Sequence, residues 1–241
     1  MKKKCKWNWK KALNYFVFIT LVASILFVAI AIIRAPATAE EALPFQRIKS
    51  DYILMLLQCI IGVLAMLLPG MLKRRLDIVI PSNMLMLYAI FLYCAIYLGE
   101  VRSFYYNVPH WDTILHTFSG AMLGALGFSV INFLNKTDRV PMNLSPVFVV
   151  FFAFCFAVTM GVVWEIYEFT ADGLLGTNMQ KFGTEAGIPF PGRLALMDTM
   201  KDLIVDSIGA FVISVIGYIS LKYQKGWVEK LQLRRHKKDR T

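Results

Sequence analysis

Long apolar blocks alternate with short polar breaks along the whole chain. The blocks cover residues 15–33, 52–72, 78–98, 114–134, 144–163 and 203–221. The first carries no charge, and the others carry acids only near some of their ends. Each comes close to the roughly 20 residues of helix that cross a bilayer core. Strand-type alternation is absent, which argues against a β-barrel. The pattern predicts an all-α polytopic membrane protein of about six transmembrane helices, over 13–33, 52–72, 78–98, 112–134, 144–169 and 198–221. They form a single integral membrane domain over residues 1–241, with one long loop at 170–197 and no internal repeat.

The start of the chain has a second reading. "MKKKCKWNWKK", an apolar run and "APATAEEA" together resemble a signal peptide with a small-residue cleavage site. The apolar run is too long for a signal core, so a retained helix is expected. Cleavage would leave five spans in the same orientation.

Composition agrees with the block pattern. Of 241 residues, 57% are apolar, above the roughly half usual in soluble chains. The net charge of +10 reads as a topology signal rather than as a nucleic-acid surface. Nineteen Lys and Arg fall in the N-terminal tail, the loops after spans two and four, and the C-terminal tail; the alternate segments hold six. This asymmetry puts both termini in the cytoplasm, with the basic tails against anionic lipid headgroups. Cys5, Cys59, Cys94 and Cys155 are scattered, so neither a disulfide framework nor a thiolate metal motif is present. No phosphate loop or serine elbow occurs, and no nucleotide cofactor is expected.

With that topology, the acids meet at one depth. Asp112 and His116 open span four, Glu165, Glu168 and Asp172 close span five, and Asp198, Asp202 and Asp206 open span six. All fall at the outer ends. The spacings i,i+4; i,i+3,i+7; and i,i+4,i+8 each keep one helical face. The first row continues to Gly120 and Gly124, the last to Gly209, Ala210 and Ser214, small residues that let helices approach closely. A charge near hydrocarbon costs on the order of 2.5–3.5 kcal/mol, so such residues usually face the bundle interior and pair. Asp112 and Asp198 have a simpler alternative as N-caps. Glu165 and Glu168, read as lying at a helix C-terminus, do not, because the macrodipole there disfavours anions.

Seven acids around one imidazole must be protonated, hydrated or bound to metal. Carboxylates and a histidine without thiolate suit a divalent Zn, Mn, Fe or Mg ion. The candidate ligands are His116, Glu165, Glu168, Asp198 and Asp202, with Asp112, His116 and Glu165 as candidate catalytic groups. Asp112 is expected to orient His116, and Asp172, Asn178, Arg193 and Asp206 stand as outer or uncertain members. Lys181, Arg102, Arg193 and Lys201 are the few nearby cations. The loop "GLLGTNMQKFGTEAGIPFPGRLAL" joins two acid-bearing helices and reads either as a lid or as a slack linker. Tyr97, Tyr105 and Tyr106 read as interface anchors, and Trp111 and Trp164 as part of an aromatic belt.

The segments "WDTILHTFSG", "WEIYEF", "GTN" and "DTMKD" resemble the YjdF-type family of predicted bacterial inner-membrane proteins. The resemblance covers roughly residues 50–222 and rests on Asp112, His116, Glu165, Glu168, Gly176, Thr177, Asp198, Thr199 and Asp202. It implies a bacterial cytoplasmic membrane location and supplies architecture and candidate residues rather than an activity. Asp206 falls where the family pattern leads one to expect a small apolar residue, so a lesser part is expected of it.

Three functions fit these observations. The first is a metal-dependent membrane hydrolase or transferase acting on a lipid or lipid-linked substrate at the outer leaflet. The second is a cation- or proton-coupled transport protein, and the third a non-catalytic structural membrane protein. The oligomeric state stays open.

Overall fold

The computed structural model describes residues 9–37, 47–135, 144–184, 188–227 and 233–235. Among them, six helical segments are long and apolar enough to cross a membrane. They are α1 (Trp9–Arg34), α2 (Lys49–Leu76), α3 (Ser82–Leu92) with its π-helical continuation Tyr93–Val101, α5 (Trp111–Asn135), α6 (Pro146–Leu175) and α7 (Met197–Lys222). A one-turn α4 (Phe104–Asn107) bridges the third and fourth spans. Two short strands, β1 (Ile78–Val79) and β2 (Arg234–Arg235), pair antiparallel.

Local chemistry sets the ends of α6. The Ser145 hydroxyl accepts the Phe148 N–H at 3.3 Å, and Pro146 fills the first helical position, where a missing N–H loses nothing. Gly176, at φ 63°, ends the helix in the left-handed conformation that glycine adopts without strain. The sequence pattern predicts this end at residue 169. Burial of Ala171 and Asp172 carries the helix further, through Leu175. The connecting loop therefore shortens to 176–196, and Glu165 and Glu168 lie inside the helix rather than in its last turn. The third span likewise starts late, at Ser82, because Ile78 and Val79 pair with the tail after α7.

The spans form two groups. The first, α1, α2 and α3 with its continuation, shares a core of Val17, Leu21, Cys59, Ala89, Leu92 and Ile96. The second is α5, α6 and α7, with Phe128, Ile131, Val149 and Ala153 packed together. Within it α5 and α7 meet backbone to backbone. A Cβ on Gly120 would collide with the Asp206 carbonyl, and one on Gly209 with the Thr117 carbonyl. This is the close approach that small residues permit in membranes. It fixes the register of His116 against Asp202 and Asp206.

Contacts also sort the helix ends. Lys10 Nζ reaches Asn83 Oδ1 at 2.5 Å, and β1 pairs with β2. The starts of α1 and α3 and the ends of α2 and α7 thus share one end of the bundle. The starts of α5 and α7 and the end of α6 lie at the other, with the acids. The basic tails at 1–8 and 236–241, with Cys5, Trp7 and His236, and most of the cleavage-like segment lie outside the described residues.

Candidate functional site

His116 is the centre of the cluster. Its Nε2 stands 3.7 Å from Asp112 Oδ1 and 3.8 Å from Asp202 Oδ2. One donor atom from each of these three residues lies within 4.8 Å of the others. Its other nitrogen, Nδ1, is 3.2 Å from Asp206 Oδ2. Asp206 is held in turn by the Ser119 hydroxyl, 2.7 Å from Oδ1. The sequence pattern assigns the orienting part to Asp112 and a lesser one to Asp206. The geometry exchanges them: Asp206 holds the ring, and Asp112 faces Nε2. Asp206 lies three turns into α7, where no signal in one sequence separates a misplaced acid from a histidine partner.

Neither first-turn acid is the N-cap, because α5 begins at Trp111 and α7 at Met197, each one residue before its acid. The residue before α7 is Leu196, and no side chain caps that end. Lys181 supplies the partner instead. Its ammonium pairs with Asp112 and lies 3.5 Å from Asp198 Oδ2. Burial alone would lower the lysine pKa, but the carboxylates of Asp112 and Asp198 outweigh it and hold it above the ordinary range. Lys181 also lies over the Tyr105 ring, 5.0 Å from its centre. Tyr105 is therefore part of the site and not a membrane anchor. Burial, then the charges of Glu100, Asp112, Glu168 and Asp202, push its phenol well above the usual tyrosine range, so it stays a hydroxyl. Tyr106 is exposed.

Two buried carboxylates are short of partners. Asp202 is 2% exposed, and its Oδ1 accepts no hydrogen bond among the described residues. Glu165 is 5% exposed and both its oxygens are in that state. It faces His116, Thr199 and Gln180, but Gln180 donates to Thr199 Oγ1 at 2.9 Å. Leaving a buried charged acceptor unsatisfied costs more than the roughly 1–3 kcal/mol of a neutral one. Glu168 is better placed, accepting from Trp164 Nε1 at 2.8 Å, which gives that indole more than a belt role.

The remaining candidates serve the loop. Asp172 accepts from Thr177 Oγ1 at 2.6 Å, Met179 N at 2.7 Å and Gln180 N at 3.0 Å. Asn178 Nδ2 donates to the Gly183 carbonyl at 2.9 Å and its Oδ1 accepts from Gly183 N at 3.2 Å. These bonds build residues 176–184 into an arm that delivers Lys181, in a left-handed conformation at φ 45°, and Gln180 into the cluster. The slack-linker reading does not hold for this half of the loop. Arg193 stands exposed on the short 3-10 helix Gly192–Leu194. Sequence reasoning missed Lys181, Tyr105, Ser119 and Gln180 as site members. Ser119 could have been found, one turn from His116 on the same face. Lys181 was visible as a cation between two acid-bearing helices.

Six candidate spans with an acid–imidazole cluster at one end define a polytopic membrane protein. Residues 13–223 match the family described as "Predicted membrane protein (DUF2238)", and the chain belongs to that family. A protein of Thermotoga maritima, carrying the name "Uncharacterized protein", is 30% identical over 122 residues, 50% of this chain and 54% of the relative. The chain thus spans about half the length of that relative. No solved structure matches it.

Proposed function

We propose that the protein is a metal-dependent membrane enzyme, with one divalent ion held by Asp112 Oδ1, His116 Nε2 and Asp202 Oδ2. The observation that carries this reading is the division of labour on His116. Asp206 takes Nδ1, which favours a proton there and leaves the Nε2 lone pair facing two carboxylate oxygens, as in carboxylate–histidine–metal arrangements. Two ligand atoms each about 2.0–2.2 Å from an ion are at most about 4.4 Å apart, and the separations of 3.7 and 3.8 Å fall inside that limit. The buried Asp202 oxygen that accepts no hydrogen bond among the described residues supports a positive centre beside it. A bound divalent ion would supply Lewis acidity and an activated water. Glu165, buried beside His116, is placed to accept the proton. The nineteen-to-six charge split supports a site facing away from the cytoplasm, in the bacterial membrane of the YjdF-type resemblance. A lipid or lipid-linked substrate follows from that depth.

Metal content of the purified protein tests the reading. Wild type should hold about one divalent transition ion or Mg per chain. Asp202→Asn keeps shape and most hydrogen bonding, should lose the ion, and should melt no lower than metal-stripped wild type, because a costly buried anion is gone. Equal metal in the two proteins would sink it. A second reading, cation or proton transport, draws on the buried polar row that continues down α7 to Ser214, whose hydroxyl has no hydrogen-bond partner among the described residues. Flux through proteoliposomes without bound metal would favour it.

A further inference from the structure

Beside the acid cluster lies a groove of about 340 Å³ lined by Lys181, Phe190, Leu194, Met197, Asp198 and Lys201. Its walls are the loop, the 3-10 helix and the first turns of α7. Its chemistry is divided. Leu194 and Met197 are half exposed, as are their neighbours Ile188, Leu196 and Met200, so one side offers hydrocarbon. The other side offers two ammonium groups and one carboxylate. Asp198 is met by Lys181 at 3.5 Å, whereas Lys201 forms no salt bridge among the described residues and acts on Asp198 only at longer range.

Depth selects the occupant. The 26 residues of α7 span about 39 Å, against a hydrocarbon core of about 30 Å. The first turns of α7 therefore reach the headgroup layer, and Lys201, about 6 Å below the start of the helix, meets the boundary between phosphates and chains. A lysine stem lies along apolar surface there while its ammonium turns to the headgroups. We propose that the groove binds one anionic phospholipid, its phosphate on Lys201 and its chain against Phe190, Leu194 and Met197. Such a lipid is the substrate class presented to Asp112, His116 and Asp202, a second step that rests on the enzyme reading above.

Native mass spectrometry of the purified full chain, doped with phosphatidylglycerol or phosphatidylcholine of matched chains, tests this. One lysine at an anionic surface is worth about fivefold in binding. Wild type should retain phosphatidylglycerol about fivefold over phosphatidylcholine. Lys201→Gln should bring that ratio close to one, and Lys201→Arg should restore it. Leu194→Gln should lower retention of both lipids. An unchanged ratio in Lys201→Gln, or displacement of the lipid by millimolar inorganic phosphate, would overturn the proposal. Asp202→Asn lacks the ion ligand but keeps the groove, so it should retain the wild-type ratio. If wild type carries no metal while the ratio behaves as expected, the enzyme reading fails and the lipid site stands.

Discussion

His116 Nδ1 and Asp206 Oδ2 stand 3.2 Å apart, joining α5 to α7 where Gly120 and Gly209 bring the two backbones together. The contact orients the ring before any ligand arrives. Loss of a carboxylate behind a metal-binding histidine typically costs 10–100-fold in metal affinity. Asp206→Ala should therefore weaken metal binding by about that factor without removing a ligand, and the Ser119 hydroxyl keeps its other acceptor, the His116 carbonyl 2.8 Å away. Asp206→Asn, which keeps an acceptor oxygen for Nδ1–H, should fall between the two. Isothermal titration with Mn or Zn checks the order. Wild-type affinity in Asp206→Ala would show that His116 needs no orienting partner.

Lys181 occupies the charge that an ion would compensate. It pairs with Asp112, a proposed ligand, so ion binding has to displace it or share that carboxylate. Lys181→Met should bind divalent ions more tightly than wild type, and should melt lower without metal, because two carboxylates lose their cation. A weaker affinity in Lys181→Met would show that the lysine assists the ion instead.

The same lysine fixes a pH dependence. Its pKa is raised in the folded state, so its stabilisation is fully present below the unfolded lysine pKa of about 10.4 and fades as pH rises through the folded value. The melting-temperature gap between wild type and Lys181→Met should hold constant from pH 6 to pH 9 and narrow only above about pH 10.4. A gap that closes near neutrality would assign the effect to another group.

The helix contact should be intolerant of size. Gly120→Val or Gly209→Val places a branched side chain where a carbonyl now sits. Overpacking costs about 1–3 kcal/mol in well-packed cores, and a clash with backbone belongs at the upper end. Gly173→Ala, where nothing lies within 4 Å of the added carbon, is the control and should melt like wild type. Thermal melts in detergent compare them.

Orientation is testable by labelling. In a variant whose four cysteines are alanine, a membrane-impermeant maleimide added to intact cells should modify cysteine at Arg193 and spare cysteine at Lys225. The reverse would turn the acid end towards the cytoplasm and remove the basis for an outer-leaflet substrate.

The helices were legible in the sequence because membrane spans are written in long apolar runs, and the acid rows were legible because 3.6-residue periodicity puts them on faces. The glycine row running on from Asp112 and His116 marked the surface that meets α7. What was not legible depended on tertiary contact. The end of α6 is set by what Ala171 and Asp172 pack against, not by their own propensities. The pairing of His116 with Asp206 depends on the register between two helices, which one sequence does not contain. Lys181 reaches its carboxylates because Asp172 gathers three donors from a loop, and loop geometry leaves no periodic trace.

Main chain meeting main chain at Gly120 and Gly209 has a consequence for ionic radius. The distance from His116 to Asp202 is set by two backbones already in contact, so α5 and α7 cannot draw closer around a small ion. Asp112, paired with Lys181 of the loop rather than held between the two backbones, would be the group that adjusts. Selection among divalent ions would then fall to that end of the site, with the deeper pair serving as a fixed gauge.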